Sequence, residues 1–204
     1  MTSTLVDTPH GPARAELHCA AEGRAGLLLG HGAGGGIDAP DLVAATRAAF
    51  EAGVHVALIE QPYRVAGRRA PAPAKQLDAA WLAIAEDLGH RWFDGLPLVF
   101  GGRSSGARVA CRTSTAGQAV AVLCLAFPVH PPGKPEKSRH AELAGVEVPT
   151  LVVQGERDPF GLPESAHHRE VVLLPGDHSL KADIEGLHRT VHDWLDRILR
   201  PLEV

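Results

Sequence analysis

Short apolar runs, separated by segments with helical periodicity, restrict the fold of this chain more than any other feature. The runs lie at 26–30, 54–60, 96–100, 119–125, 150–154 and 170–174. Runs of this kind predict strands that are buried on both faces, as in a parallel sheet. A more alternating segment at 13–21 predicts an edge strand.

Helical patterns fall between the predicted strands. Apolar residues recur at spacings of three and four over 77–88 and 184–198, which predicts two amphipathic helices. A further helix is predicted to start near Pro40 and to run through Phe50, with Gly53 as its stop signal. This alternation predicts an α/β fold with a doubly wound, mostly parallel sheet. We expect residues 1–204 to form a single domain.

Composition argues against several classes of partner. The formal net charge of −4 gives no reason to expect nucleic acid or an anionic membrane as a partner. No run approaches the ~18 apolar residues of a membrane helix, and the first residues lack the pattern of a secretory signal. The three cysteines are odd in number and widely spaced, which indicates free thiols and a cytoplasmic location. The oligomeric state is left open.

The most informative local motif is Gly102-Arg-Ser-Ser-Gly106, which follows an apolar run and leads into a helix-compatible segment. A serine raised on a sharp turn between strand and helix needs small residues two positions before and after it. Ser105 is out of frame, because Arg103 would then occupy the small position before it. We therefore predict that Ser104 is a nucleophile; the alternative is a glycine-rich turn without chemistry.

A serine nucleophile needs a base that takes its proton and a carboxylate that orients the base. In this kind of fold the two follow the serine in the order acid, then histidine. Asp158 comes just after the predicted strand 150–154, and His178 just after the strand 170–174. We predict these roles for them, although Asp158 before a proline also fits an Asx-turn. Glu156 and Asp177 are competing acids, the latter only if its loop doubles back.

The glycine-rich segment 30–36 follows the strand 26–30. Exposed backbone N–H groups are what a developing oxyanion requires. We predict that the amides of Ala33 and Ser105 form this oxyanion hole, with His31 as a structural residue of the loop.

A dinucleotide-binding loop is the rival interpretation of the same glycines. Gly30, Gly32 and Gly35 satisfy the spacing G-x-G-x-x-G, and Glu60 ends the next strand, where an acid could bind a ribose. The third glycine of such a loop should open a helix, whereas the helical pattern here starts near Pro40. A P-loop is excluded, because no Gly-Lys-Ser/Thr follows the glycines.

With these pieces in place, the chain resembles the α/β-hydrolase superfamily, in particular its small branch related to dienelactone hydrolase. Within that branch it resembles bacterial relatives of the testis-expressed and NSL-complex α/β-hydrolase-like proteins. The matching segments are GHGAGGGIDAPD, YRVAGRRAP, GGRSSGARVA, FPVHPPGKPEK, QGERDPFG and GDHS. The resemblance implies a triad of Ser104, Asp158 and His178. Dienelactone hydrolase carries a cysteine at the turn between strand and helix, called the nucleophile elbow, where this chain has Ser104. The branch usually shows Met-Gly directly after the serine, where this chain has Ser105-Gly106.

Two segments rich in proline, glycine and charge, 61–74 and 126–148, follow predicted strands and are expected to wall the site. The second is too short for a large helical lid, so we expect an open, shallow site that suits small or accessible substrates. Arg64 and Arg68 lie in the first segment. One of them is a candidate clamp for a substrate carboxylate or phosphate, and surface charge or a structural ion pair is the alternative.

These residues predict a serine hydrolase that acts on carboxylic esters or thioesters of a small-molecule substrate without a metal or organic cofactor. A non-catalytic binding or scaffold protein on the same fold is the alternative from a different class. A peptidase or acyltransferase would use the same triad, because the acyl acceptor depends on pocket shape and water access.

Overall fold

The structure, a computed structural model, describes residues 2–200. Its centre is an eight-stranded sheet with strand order β1-β2-β4-β3-β5-β6-β7-β8. β1 and β4 each pair with β2 in antiparallel register, and β3 to β8 are mutually parallel. The strands are β1 Thr2–Val6, β2 Ala13–His18, β3 Gly26–Gly30, β4 His55–Glu60, β5 Leu98–Arg103, β6 Ala121–Leu125, β7 Thr150–Gly155 and β8 Arg169–Leu174.

Helices cover both faces of this sheet. They are α1 Pro40–Glu51, α2 Pro62–Val65, α3 Ala74–Arg91, α4 Ser105–Thr113, α5 His140–Ala144 and α6 Ile184–Ile198. One apolar core lies between the sheet and the pair α1 and α6, and includes Leu29, Val153 and Trp194. The other lies under α3 and α4, where the rings of Trp81 and Phe100 meet edge to face at 5.6 Å. The predicted doubly wound, mostly parallel sheet is therefore confirmed.

Several predicted elements need correction. β1 was not predicted, because most of its side chains are exposed and it pairs only at the sheet edge. The predicted edge strand 13–21 ends at His18, and the strand predicted at 96–100 lies two residues further on as β5. The short helices α2 and α5 lie inside segments that were expected to be irregular. Short surface helices of this kind lack the repeated apolar periodicity that reveals longer ones.

The segment between β6 and β7 contains only α5, which is five residues long. The expectation of no large lid is thus confirmed. Because β3 to β8 are parallel, their carboxyl ends share one edge of the sheet, and the loops that follow them meet there. This edge is where the predicted site residues come together.

Two further observations concern the part of the chain that the structure describes. None of its helices combines the length and the apolar character needed to cross a membrane. Between residues 2 and 200, no three histidine, cysteine, aspartate or glutamate side chains are grouped closely enough to hold a metal ion.

Candidate active site

Ser104 lies on the turn between β5 and α4 in a strained backbone conformation, with φ of 52° and ψ of −107°. Its amide donates a hydrogen bond to the carbonyl of Leu125 at 2.9 Å, which ties the turn to the neighbouring strand. A β-carbon on Gly102 would lie 2.7 Å from the carbonyl oxygen of Gly30, and one on Gly106 would lie 2.3 Å from it. The elbow therefore needs glycine at both positions, as its sequence pattern predicts.

Ser104, His178 and Asp158 form a continuous hydrogen-bonded relay. His178 Nε2 is 3.0 Å from Ser104 Oγ, and His178 Nδ1 is 2.8 Å from Asp158 Oδ2. The carboxylate only accepts, so Nδ1 carries the ring proton and Nε2 is free to accept from the serine. The Asp158 side chain is fully buried, whereas 18 % of the His178 side chain is exposed. The structure thus brings together the three residues that the sequence pattern singled out.

Two further residues hold Asp158 and the imidazole in place. Gln154 Nε2 donates to Asp158 Oδ2 at 2.8 Å, and the amide of Phe160 donates to Asp158 Oδ1 at 2.8 Å. The Phe160 ring stacks on the imidazole of His178 at 4.1 Å. The Asx-turn and the contact with histidine therefore coexist, one on each carboxylate oxygen. Sequence reasoning missed Gln154 and Phe160; a lone polar residue near the end of an apolar strand was the available signal.

The two competing acids are not part of the hydrogen-bonded relay. Glu156 and Asp177 are both exposed. Hydrogen bonds from the hydroxyl and amide of Ser179 hold the pKa of Asp177 below its usual value, so this carboxylate is occupied within its own turn. In the described part of the chain, Asp158 is the carboxylate that accepts a hydrogen bond from His178.

The predicted oxyanion donors follow two neighbouring parallel strands, β3 and β5. Ser105 is the first residue of α4, and the first amides of a helix have no partner within it. Ala33 belongs to the loop after β3, and its carbonyl accepts a hydrogen bond from the Tyr63 hydroxyl at 3.1 Å. This bond fixes the orientation of the peptide that follows Ala33.

His31 holds the same loop through hydrogen bonds with the backbone. It is buried, and burial lowers its pKa, so the ring is neutral. Its Nδ1 donates to the carbonyl of Gly32 at 2.7 Å, and its Nε2 accepts from the amide of Gln61 at 3.2 Å. Both ring nitrogens are thus engaged by backbone groups, as expected for a structural residue. α1 starts only at Pro40, well past Gly35, which argues against a dinucleotide-binding loop.

The two candidate clamp residues differ in setting. Arg64 lies in α2, half-buried, and its charge contributes to lowering the pKa of His31 after the larger effect of burial. Arg68 is exposed and lines a cavity of about 80 Å³ together with His10 and Tyr63. Between residues 2 and 200, neither arginine forms a salt bridge.

A serine–histidine–aspartate relay on an elbow of this sheet defines an α/β-hydrolase architecture. The family model described as an alpha/beta hydrolase domain matches residues 23–200, and the chain belongs to this family. No curated protein matches the chain in sequence.

Solved structures share this fold. A serine hydrolase without a lid from Xanthomonas campestris has 21% identity and a TM-score of 0.80, with 98% of this chain and 95% of that chain covered. The Est1E protein of Butyrivibrio proteoclasticus has 15% identity and a TM-score of 0.79, covering 98% and 99%. Dienelactone hydrolase from Anabaena variabilis has 15% identity and a TM-score of 0.75, covering 98% of each chain. At these identities the likeness concerns the fold; the relation to the testis-expressed and NSL-complex proteins stays a prediction.

Proposed function

We propose that this protein is a serine hydrolase that cleaves a carboxylic ester or thioester of a small or accessible substrate. The observation that carries the proposal is the relay from Ser104 Oγ through His178 to the buried carboxylate of Asp158, with distances of 3.0 and 2.8 Å. Both contacts lie within the range required for proton transfer between a nucleophile and its base.

In the first half of the reaction, Ser104 Oγ attacks the substrate carbonyl carbon while His178 Nε2 takes the hydroxyl proton. Asp158 stabilises the imidazolium that forms. The tetrahedral intermediate collapses, the bond to the alcohol or thiol breaks, and the leaving group takes the proton from His178. Water then attacks the acyl-enzyme with His178 as base, which releases a carboxylic acid and restores the serine.

The oxyanion is held, in this proposal, by the amides of Ser105 and Ala33. Support comes from the position of Ser105 at the start of α4, where the helix dipole also favours negative charge. Support for Ala33 comes from its place in the loop after β3, which the hydrogen bond from the Tyr63 hydroxyl to the Ala33 carbonyl anchors; this bond does not act on the Ala33 amide itself. A preorganised donor costs no rearrangement when charge develops on the substrate oxygen.

A small-molecule substrate is supported by the partial exposure of Ser104 and the absence of a large lid between β6 and β7. A further structure of the Butyrivibrio protein has ferulic acid bound. Arg68 is a better candidate for an anion clamp than Arg64, because Arg68 is exposed and lines a cavity. Replacing Arg68 by alanine should raise KM for an anionic ester and leave KM for a matched neutral ester unchanged.

The test is labelling with a fluorophosphonate probe, which reacts only with an activated serine. Wild type should label, and both S104A and H178A should not. S105A is the matched control: it removes a neighbouring hydroxyl but keeps the backbone amide, so labelling should persist. Folded wild type that stays unlabelled would overturn the proposal and leave a binding or scaffold role on the same fold. Labelling that survives in S104A would overturn the choice of nucleophile.

A further inference from the structure

Arg103 directly precedes the nucleophile, and the proposed reaction does not use it. Its side chain is only 18 % exposed and extends away from the elbow to two distant segments. Nε donates to Asp41 Oδ2 at 2.6 Å, and Nη2 donates to the backbone carbonyl of His178 at 2.8 Å. One guanidinium thus joins the first turn of α1, the elbow and the loop that carries the histidine.

Asp41, the carboxylate that pairs with Arg103, is a charged residue in a buried position. The Asp41 side chain is fully buried, and burial raises its pKa, which the charge of Arg103 opposes. In residues 2–200, Arg103 is its only salt-bridge partner. Buried ion pairs are seldom more stabilising than apolar residues of similar volume. Stability alone therefore does not explain why this pair is present. Its geometry, by contrast, is well defined, because a guanidinium fork fixes direction as well as distance.

His178 is held at its backbone as well as at its ring. It follows β8 in a loop whose neighbours Pro175 and Asp177 are exposed. Asp158 and Phe160 hold the ring of His178, but neither fixes the main chain from which the ring projects. The hydrogen bond from Arg103 does so, from the residue next to Ser104.

The loop after β3, which carries Ala33, lies close to the same side chain. A β-carbon on Gly32 would come within 3.1 Å of Arg103 Nη1, so glycine at this position leaves room for the guanidinium. Arg103, which is part of the elbow, therefore bonds to the loop that carries His178 and lies beside the loop that carries Ala33.

We propose that Arg103, anchored on Asp41, is a positioning residue that sets His178 relative to Ser104. The inference rests on the proposed serine hydrolase function and adds a residue to its site. Because a displacement of about 1 Å in a reacting group can lower a rate about 100-fold, loss of this hold should slow the chemical step while substrate binding is preserved.

The experiment measures the fluorophosphonate labelling rate as a function of probe concentration for wild type, R103Q and R103K. R103Q should lower the maximal rate about 10- to 100-fold. The probe concentration at half-maximal rate should stay within about twofold, because the contact is not with the probe. R103K should be intermediate, since a single ammonium keeps the charge opposite Asp41 but lacks the fork.

R112Q is the matched control. Arg112 lies on α4, is similarly buried at 17 % exposure, and pairs with Asp78 rather than with the histidine loop. R112Q should lower the unfolding temperature and leave the labelling rate unchanged. A folded R103Q that labels at the wild-type rate, or an R112Q that slows labelling as much, would overturn the inference.

The anchoring role of Asp41 has its own measurement. D41N should slow labelling, and the double variant D41N/R103Q should be no slower than R103Q, because both changes remove the same hold. Independent, additive losses would overturn the anchoring. If R103Q does not fold, D41N and R103K carry the test. Unlabelled wild type would overturn the proposed function and this inference with it, whereas labelled wild type with equally labelled variants overturns this inference alone.

Discussion

Gly155 lies directly against the main chain of Asp177: a β-carbon at position 155 would come within 2.3 Å of the Asp177 carbonyl oxygen. Gly155 ends β7, next to the turn that carries Asp158, and Asp177 precedes His178. The turn with the acid and the loop with the base are thus packed backbone to backbone. This packing accompanies the 2.8 Å distance between Asp158 Oδ2 and His178 Nδ1.

We expect G155A to push the two segments apart. Overpacking of this kind costs about 1–3 kcal/mol of unfolding free energy, and the labelling rate of Ser104 should fall as well, because His178 moves with its loop. Urea unfolding and fluorophosphonate labelling measure the two effects. G145A is the control, since a β-carbon there meets nothing closer than a carbonyl oxygen at 3.4 Å. Wild-type labelling in G155A would contradict the prediction.

Gln154 should be required for the function of Asp158. Its side-chain amide donates to Asp158 Oδ2 and to the carbonyls of Phe127 and Gly161. Replacing it by leucine removes these donors, so we expect a loss of about 1–3 kcal/mol in stability together with slower labelling.

The control for Gln154 lies at the other end of the same strand. Thr150 is buried, and its hydroxyl donates to the carbonyl of Val148. T150V should lower stability without slowing the labelling of Ser104. If Q154L labelled as fast as T150V, Gln154 would have no role in holding Asp158.

Glu142 should make stability sensitive to acid. Burial alone would raise its pKa, yet hydrogen bonds from Arg108 and the charges of Arg108 and Arg112 together hold the pKa below its usual value of 4.5. A depressed acid contributes stability that is fully present above its unfolded pKa and is lost as the pH falls through the folded pKa. E142Q should therefore cost about 1–3 kcal/mol at pH 7, and the difference from wild type should shrink below pH 4.5.

Urea unfolding of wild type and E142Q between pH 7 and pH 3 checks this sign. A difference that stays constant across the range would show that the carboxylate contributes through packing and not through its charge. E147Q is the control, because Glu147 is exposed and should give a pH-independent difference close to zero.

The cysteines should differ in reactivity. Cys19 is exposed, while Cys111 and Cys124 are buried with their sulfurs 3.5 Å apart. The hydrogen bond that the Cys111 thiol makes with Cys124, together with burial, raises the pKa of Cys111, so its thiolate is scarce near neutral pH. Titration with a thiol reagent should show one fast group in the native protein and three after unfolding. Three fast groups in the native protein would contradict this.

Local signals were sufficient for the parts of the site that follow from chain order. The elbow is a short pattern with its own steric requirement at Gly102 and Gly106, and it was predicted with its strand and helix. Asp158 and His178 were selected because each follows a late strand, although the chain has twelve histidines. Parallel strands bring such loops to one edge whatever their sequence.

The remaining contacts could not be predicted, since they join residues that are distant in the chain and carry no pattern. Arg103 and Asp41 are 62 positions apart. A single aspartate at the first turn of α1 looks like an ordinary favourable charge near a helix N-terminus. Likewise, the exposed β1 has no apolar pattern, and only pairing with β2 makes it a strand.

The strained backbone conformation of Ser104 serves activity at the expense of stability. A residue other than glycine at φ of 52° and ψ of −107° holds roughly 1–3 kcal/mol of unfavourable conformational energy, which glycine would release. A library screened for heat resistance alone should accumulate glycine at this position, and a library screened for turnover should never do so. At position 104, selection for stability therefore favours glycine, whereas selection for activity favours serine.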